Sequence, residues 1–215
     1  MIIIIFFNFV VKHQKIDMVF AFGAEGDNSL KILAAEKRMA KGIIDSQIEK
    51  DVKYSVMKYG NVARIELQFR EVSSTDMLKQ VIDVISWSGP GLAVDDAVKK
   101  AVENLKQNGR PQASRVLVLF VSGKAKPDEK EVERLTELLA DAGVHTVLIA
   151  INNDDDTKFD KLFPPGKTVI VTDRNVDAKT TVPDVISGIS KGKTSENWSR
   201  LVVVIIACHS HGHGV

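Results

Sequence analysis

Asp17-Met18-Val19-Phe20-Ala21-Phe22-Gly23-Ala24-Glu25-Gly26-Asp27 is the stretch that decides the fold of this chain. An apolar run stops abruptly in a loop of small residues, and a long amphipathic pattern begins just beyond it at Asn28-Ser29. That reads as a buried strand feeding a helix N-terminus, the place where open α/β sheets build their binding crevice.

On either side of the loop the pattern alternates regularly. Residues 16–22 are the first strand. From Ser29 to Ser46, Leu30, Ile32, Leu33, Met39, Ile43 and Ile44 recur near helical spacing, with Lys and Glu between them. Two strand-like runs, 53–59 and 62–69, flank Gly60-Asn61, a two-residue hairpin connection. Helices are expected over 74–85, capped by Ser74 or Thr75, and over 92–107, stopping at Asn108-Gly109. Residues 114–121 are nearly all apolar, as in a strand buried on both faces. A helix over 128–141 opens with acids and closes at Gly143. Strands at 144–151 and 168–171, and helices at 157–163 and 182–191, complete the order. This predicts an α/β fold: a doubly wound, mostly parallel six-stranded sheet with one antiparallel edge strand and helices on both faces, Rossmann-like.

The element order resembles that of the von Willebrand factor type A domain. Specific echoes are Asp17-Met18-Val19-Phe20 entering the first strand, Ser88-Gly89-Pro90-Gly91 before Asp95-Asp96-Ala97-Val98, and the run Val116–Gly123. In that family the first strand ends in Asp-x-Ser-x-Ser, whose oxygens hold a divalent cation that bridges to a ligand's carboxylate. A Thr from a second loop and an Asp from a third complete the site. Here Gly23 stands at the Asp position, Glu25 and Asp27 at the two Ser positions, Leu92 or Val94 at the Thr, and Ser122 at the last Asp. Mg²⁺ demands oxygen ligands in near-octahedral geometry, so these positions are not freely replaceable. The resemblance therefore implies a degenerate metal-ion-dependent adhesion site and no cofactor. It is nearest to matrix members of the family, collagen VI-like or matrilin-like.

Glu25 and Asp27 bring new oxygens. With Asp95, Asp96, Asp128 and Asp154-Asp155-Asp156 they are expected along the C-terminal edge of the strands. Such a face could bind Ca²⁺ through a rewired site or attract a basic partner, while each acid alone is equally explained by helix-dipole stabilisation.

Composition is that of an ordinary globular protein: 215 residues, 44% hydrophobic, 27% charged. A formal net charge of +1, with Lys interspersed among acids, leaves no footprint for nucleic acid. The single cysteine, Cys208, excludes an internal disulfide and leaves the compartment open. No catalytic arrangement emerges. Ser122-Gly123 lacks a nucleophile elbow, His13 and His145 complete no triad, and Gly23-Ala24-Glu25-Gly26 is not a phosphate loop.

Three segments follow. Residues 1–15 form an apolar N-terminal segment, signal-like or mis-joined, and too short for a bilayer-spanning helix. Residues 16–191 are the type A-like domain. Residues 192–215 are a C-terminal tail in which the β-branched run 201–207 suits a strand or an aggregation-prone end. The tail carries a glycosylation triplet at Asn197, and His209, His211 and His213 at a spacing able to chelate a transition metal. The reading is a non-catalytic, secreted matrix module that binds extracellular-matrix proteins such as collagens, with no stable membrane span. Its binding residues are placed at Glu25, Asp27, Asp95 and Ser122. The alternatives are a Ca²⁺-binding domain and an intracellular scaffold domain.

Overall fold

The computed structural model describes residues 15–23, 29–46, 51–89, 91, 93–122, 129–151, 168–173 and 204–206. Strands β1 (Ile16–Phe22), β2 (Val52–Tyr59), β3 (Ala63–Leu67), β4 (Ser114–Ser122), β5 (Val144–Ile151), β6 (Thr168–Asp173) and β7 (Val204–Ile206) form one sheet in the order β3-β2-β1-β4-β5-β6-β7. All pairings are parallel except β2–β3, which is antiparallel with a register shift between Val56 and Met57. The sheet thus runs to seven strands rather than six. The extra one comes from the β-branched run of the C-terminal segment, which lies beside β6. The helices expected over 157–163 and 182–191 lie outside the described residues.

The strand alternation explains the two layers. Met18, Phe20 and Phe22 of β1 and Val116, Val118 and Phe120 of β4 pack with α1 (Ser29–Ser46) and α2 (Thr75–Val84), through Ile32, Leu33, Ile43, Leu78 and Ile82. Their sequence neighbours Val19, Ala21, Leu117 and Leu119 face the other way. They pack with α3 (Val94–Asn108) and α4 (Glu129–Asp141), through Val98, Ala101, Leu105, Leu135 and Leu139. Every residue of β1 is buried, as a strand covered on both faces must be.

Helix ends follow local chemistry. Ser74 caps α2, its hydroxyl accepting the Met77 N–H at 3.1 Å. Gly109, where α3 was expected to stop, has an ordinary negative φ of −77°. Its reason for being glycine is space: a Cβ there would lie 2.4 Å from the Leu105 carbonyl oxygen and 3.1 Å from Asp17 Oδ2. That close approach lets Arg110 clamp the N-terminal edge of the sheet. Its Nε donates to Asp17 Oδ1 at 2.7 Å, its backbone N–H to Asp17 Oδ2, one terminal nitrogen to the Ile16 carbonyl at 2.8 Å, and the other to Asp51.

Candidate functional site

At the C-terminal edge of the parallel strands Gly23 directly follows β1, and β2 ends in Tyr59 beside it, one step beyond the Phe22–Lys58 pairing. The Tyr59 side chain crosses over Gly23 and donates its hydroxyl to the Phe120 carbonyl of β4. The ring is fully buried. A Cβ built on Gly23 would lie 2.2 Å from Tyr59 Cζ and 2.6 Å from its hydroxyl oxygen. The space into which any side chain at position 23 would project is filled by the phenol. On the other face of the sheet the rings of Phe22 and Phe120 stack at 5.1 Å.

In the second loop, Val94 is one of the two positions, with Leu92, at which the family's Thr could fall. Val94 opens α3 and is buried, and Ala93 before it provides no side-chain cap. The two acids that follow are already engaged. Asp95 accepts from Lys99 Nζ at 2.7 Å, an i,i+4 pair whose hydrogen bond holds its carboxyl below the usual range. Asp96 accepts the Ala63 N–H at 2.6 Å, and Ala93 N–H donates to the Gly60 carbonyl at 2.8 Å. The start of α3 is thereby fastened to the β2–β3 hairpin.

Of the residues placed in the site from sequence, Ser122 ends β4 and Asp95 lies in the first turn of α3, both on this edge. Glu25, Asp27, Leu92, Asp128, residues 154–156, Asn197, His209, His211 and His213 lie outside the described residues. Among the described residues no three His, Cys, Asp or Glu side chains gather closely enough to hold a metal ion. His145 of β5 is half-buried and has an interaction partner.

Two features of this edge were missed in the sequence. Tyr59 reads there only as the last residue of an alternating strand. Glu36 sits on the apolar stripe of α1, at helical spacing from Ile32, Leu33, Ala40 and Ile43, and its position in that stripe was a legible sign of burial. Its side chain is fully buried, and neither oxygen has a hydrogen-bond partner among the described residues. Burial pushes its carboxyl well above the usual range, opposed by the nearby Gly23 backbone N–H.

A raised native pKa means that the folded chain binds this proton more tightly than the unfolded chain does. The associated stability is complete below the unfolded value of about 4.3 and is lost as pH rises toward the folded value. In that window the slope reaches about 1.4 kcal/mol per pH unit. Glu36→Gln should remove this alkaline-side loss in denaturant titrations run from about pH 5 to 8. An unchanged slope in the variant would contradict the assignment.

The strand order and the helices on both faces define a doubly wound α/β domain. The family model of the von Willebrand factor type A domain matches residues 18–185. The chain belongs to that family, whose domains are protein-interaction modules. No curated protein sequence is significantly similar to it.

Among solved structures, the chain is similar to the conserved hypothetical protein BatB from Bacteroides thetaiotaomicron (TM-score 0.61, 13% identity), covering 82% of this chain and all of that one. It is similar also to proximal thread matrix protein 1 from the mussel byssus (TM-score 0.63, 13% identity), over 82% of this chain and 48% of that one. A third is the SpRpn10 VWA domain (TM-score 0.58, 15% identity), over 72% and 85% respectively. At these identities the likeness is one of fold. Among the described residues no helix is long and apolar enough to cross a membrane.

Proposed function

We propose that this domain is a non-catalytic protein-binding module of the extracellular matrix that binds through the loops at the strand C-terminal edge without the family's metal. The observation that carries the metal-free reading is the Gly23–Tyr59 pair. The position expected to supply the first ligand has no side-chain oxygen, and its space is occupied by a buried ring. Val94, one of the two positions at which the family's Thr could fall, is buried and has no hydroxyl. The matrix setting is supported by the sequence resemblance to matrix members of the family, and the mussel thread matrix protein shares the fold.

Binding is then a matter of surface complementarity at the loops, with Glu25, Asp27, Asp95 and Ser122 among the contacting residues. Solid-phase binding of the full chain to a panel of fibrillar and network collagens should be equal in EDTA and in millimolar Mg²⁺. Asp27→Lys combined with Asp95→Lys should weaken that binding about tenfold, the equivalent of one lost charge-assisted contact. Binding abolished by EDTA, or untouched by the charge reversals, would overturn the reading.

A further inference from the structure

The tip of the β2–β3 hairpin and the loop between α2 and α3 enclose a cleft of about 300 Å³ lined by Lys58, Asn61, Val62, Arg64, Trp87 and Ser88. We infer that this cleft takes an acidic peptide segment of a partner protein, a carboxylate side chain lying on Arg64 next to an apolar side chain lying on Trp87 and Val62. The inference rests on the reading that the loop rim is the binding face, and it names the chemistry of what binds there.

Charge complementarity is the first argument. The Arg64 side chain is exposed and, among the described residues, makes no ion pair or hydrogen bond. Lys58 stands opposite it across the ladder. Its ammonium group is shared between Glu66 and the Ser86 hydroxyl, each at 3.2 Å. A planar guanidinium with open donors is suited to a bidentate carboxylate.

Apolar exposure is the second. Trp87 and Val62 are 44% and 56% exposed, and they are two of only four large apolar side chains exposed among the described residues. Finding both in one small cleft sets it apart from scattered surface apolar residues, and a Trp with an adjacent Arg is the usual make-up of an interface anchor.

Rigidity is the third. A Cβ on Gly60 would lie 2.8 Å from the Ser88 carbonyl oxygen. Gly91 has a φ of +95°, and a Cβ there would lie 2.0 Å from Asn61 Oδ1. Only glycines let the two loops press together in this way, and Ala93 and Asp96 hydrogen-bond across the same junction. The walls are built before any partner arrives, so little ordering opposes binding.

The cleft's volume, at the low end for small-molecule pockets, suits one or two side chains rather than a whole ligand. Two cations, one of them already shared with Glu66, are too few for a sulfated polysaccharide, which needs a row of them.

The test is selection of displayed random dodecapeptides on the full chain, followed by titration of the winners as synthetic peptides. Winners should carry Asp or Glu within two residues of a Leu, Ile, Phe or Trp. Arg64→Glu and Trp87→Ala should each lower their affinity at least tenfold, and added salt should lower it further. Thermal melting of each variant controls for folding, with Val62→Ser replacing Trp87→Ala should that variant melt early.

Winners without acids, or no winners, would overturn the inference. So would a heparin hexasaccharide that binds with Arg64 dependence where the peptides do not. Peptides sensitive to Asp27→Lys and Asp95→Lys but not to Arg64→Glu would overturn the cleft and leave the rim reading standing. Peptides indifferent to both sets would overturn both.

Discussion

Gly23→Ala should destabilise the folded chain by about 3–5 kcal/mol, the sum of overpacking a dense core and losing a buried hydrogen bond. The added methyl group would stand 2.2 Å from the Tyr59 ring, so the ring must leave and its hydroxyl must release the Phe120 carbonyl. Neither the ring nor the strand end beneath it has room to relax, because both are fully buried. Equilibrium denaturant unfolding measures the loss. A double-mutant cycle identifies its cause: in a Tyr59→Ala background, the same Gly23→Ala change should cost no more than about 1 kcal/mol. Equal costs in both backgrounds would show that the glycine is required for some other reason.

Breaking the clamp at the opposite edge of the sheet has a comparable effect. Arg110→Ala should cost about 3 kcal/mol, because it strands the Asp17 carboxylate in the core with no route to water. The Asp17 side chain is 1% exposed, against 19% for Arg110. The asymmetry gives a second expectation. Asp17→Ala should cost less than Arg110→Ala, since the freed guanidinium still holds Asp51 and can reach solvent. Arg110→Lys should not rescue, because one ammonium cannot serve Asp17, the Ile16 carbonyl and Asp51 together. Denaturant midpoints of the three variants decide the order, and the reverse order of the two alanine variants would contradict this account.

The architecture was legible because burial and periodicity are local signals. The first strand and its helix, the Gly60-Asn61 hairpin, the continuous apolar run of β4 and the Ser74 cap each announce themselves within a dozen residues. The C-terminal β-branched run reads as suited to a strand, but its place as a seventh strand does not, since whether such a run pairs depends on finding a free sheet edge, which no window of sequence reveals.

The site was legible only by subtraction. Gly23 shows that a ligand oxygen is missing, but what fills the space comes from Tyr59, thirty-six positions away and brought alongside by the parallel pairing of β1 and β2. Asp95 looked like part of a displayed acidic face, whereas its carboxyl is engaged by Lys99 one turn along the same helix, a pairing the i,i+4 spacing would have disclosed. The cleft of Arg64 and Trp87 joins two loops whose contact depends on backbone approach at Gly60 and Gly91, and nothing in either loop alone announces it.

The central claim is that this type A domain works without the divalent cation of its family. Its most direct test is thermal unfolding of the full chain across a titration of Mg²⁺ and Mn²⁺ into the millimolar range. A cation bound only by the folded state, at a hundredfold excess over its dissociation constant, would add about 2.7 kcal/mol. At about 2–4 °C per kcal/mol for a chain of this size, the midpoint would rise by at least about 5 °C. With the Tyr59 ring over Gly23, the midpoint is predicted to stay where it is in EDTA. A saturable rise of that size would contradict the account.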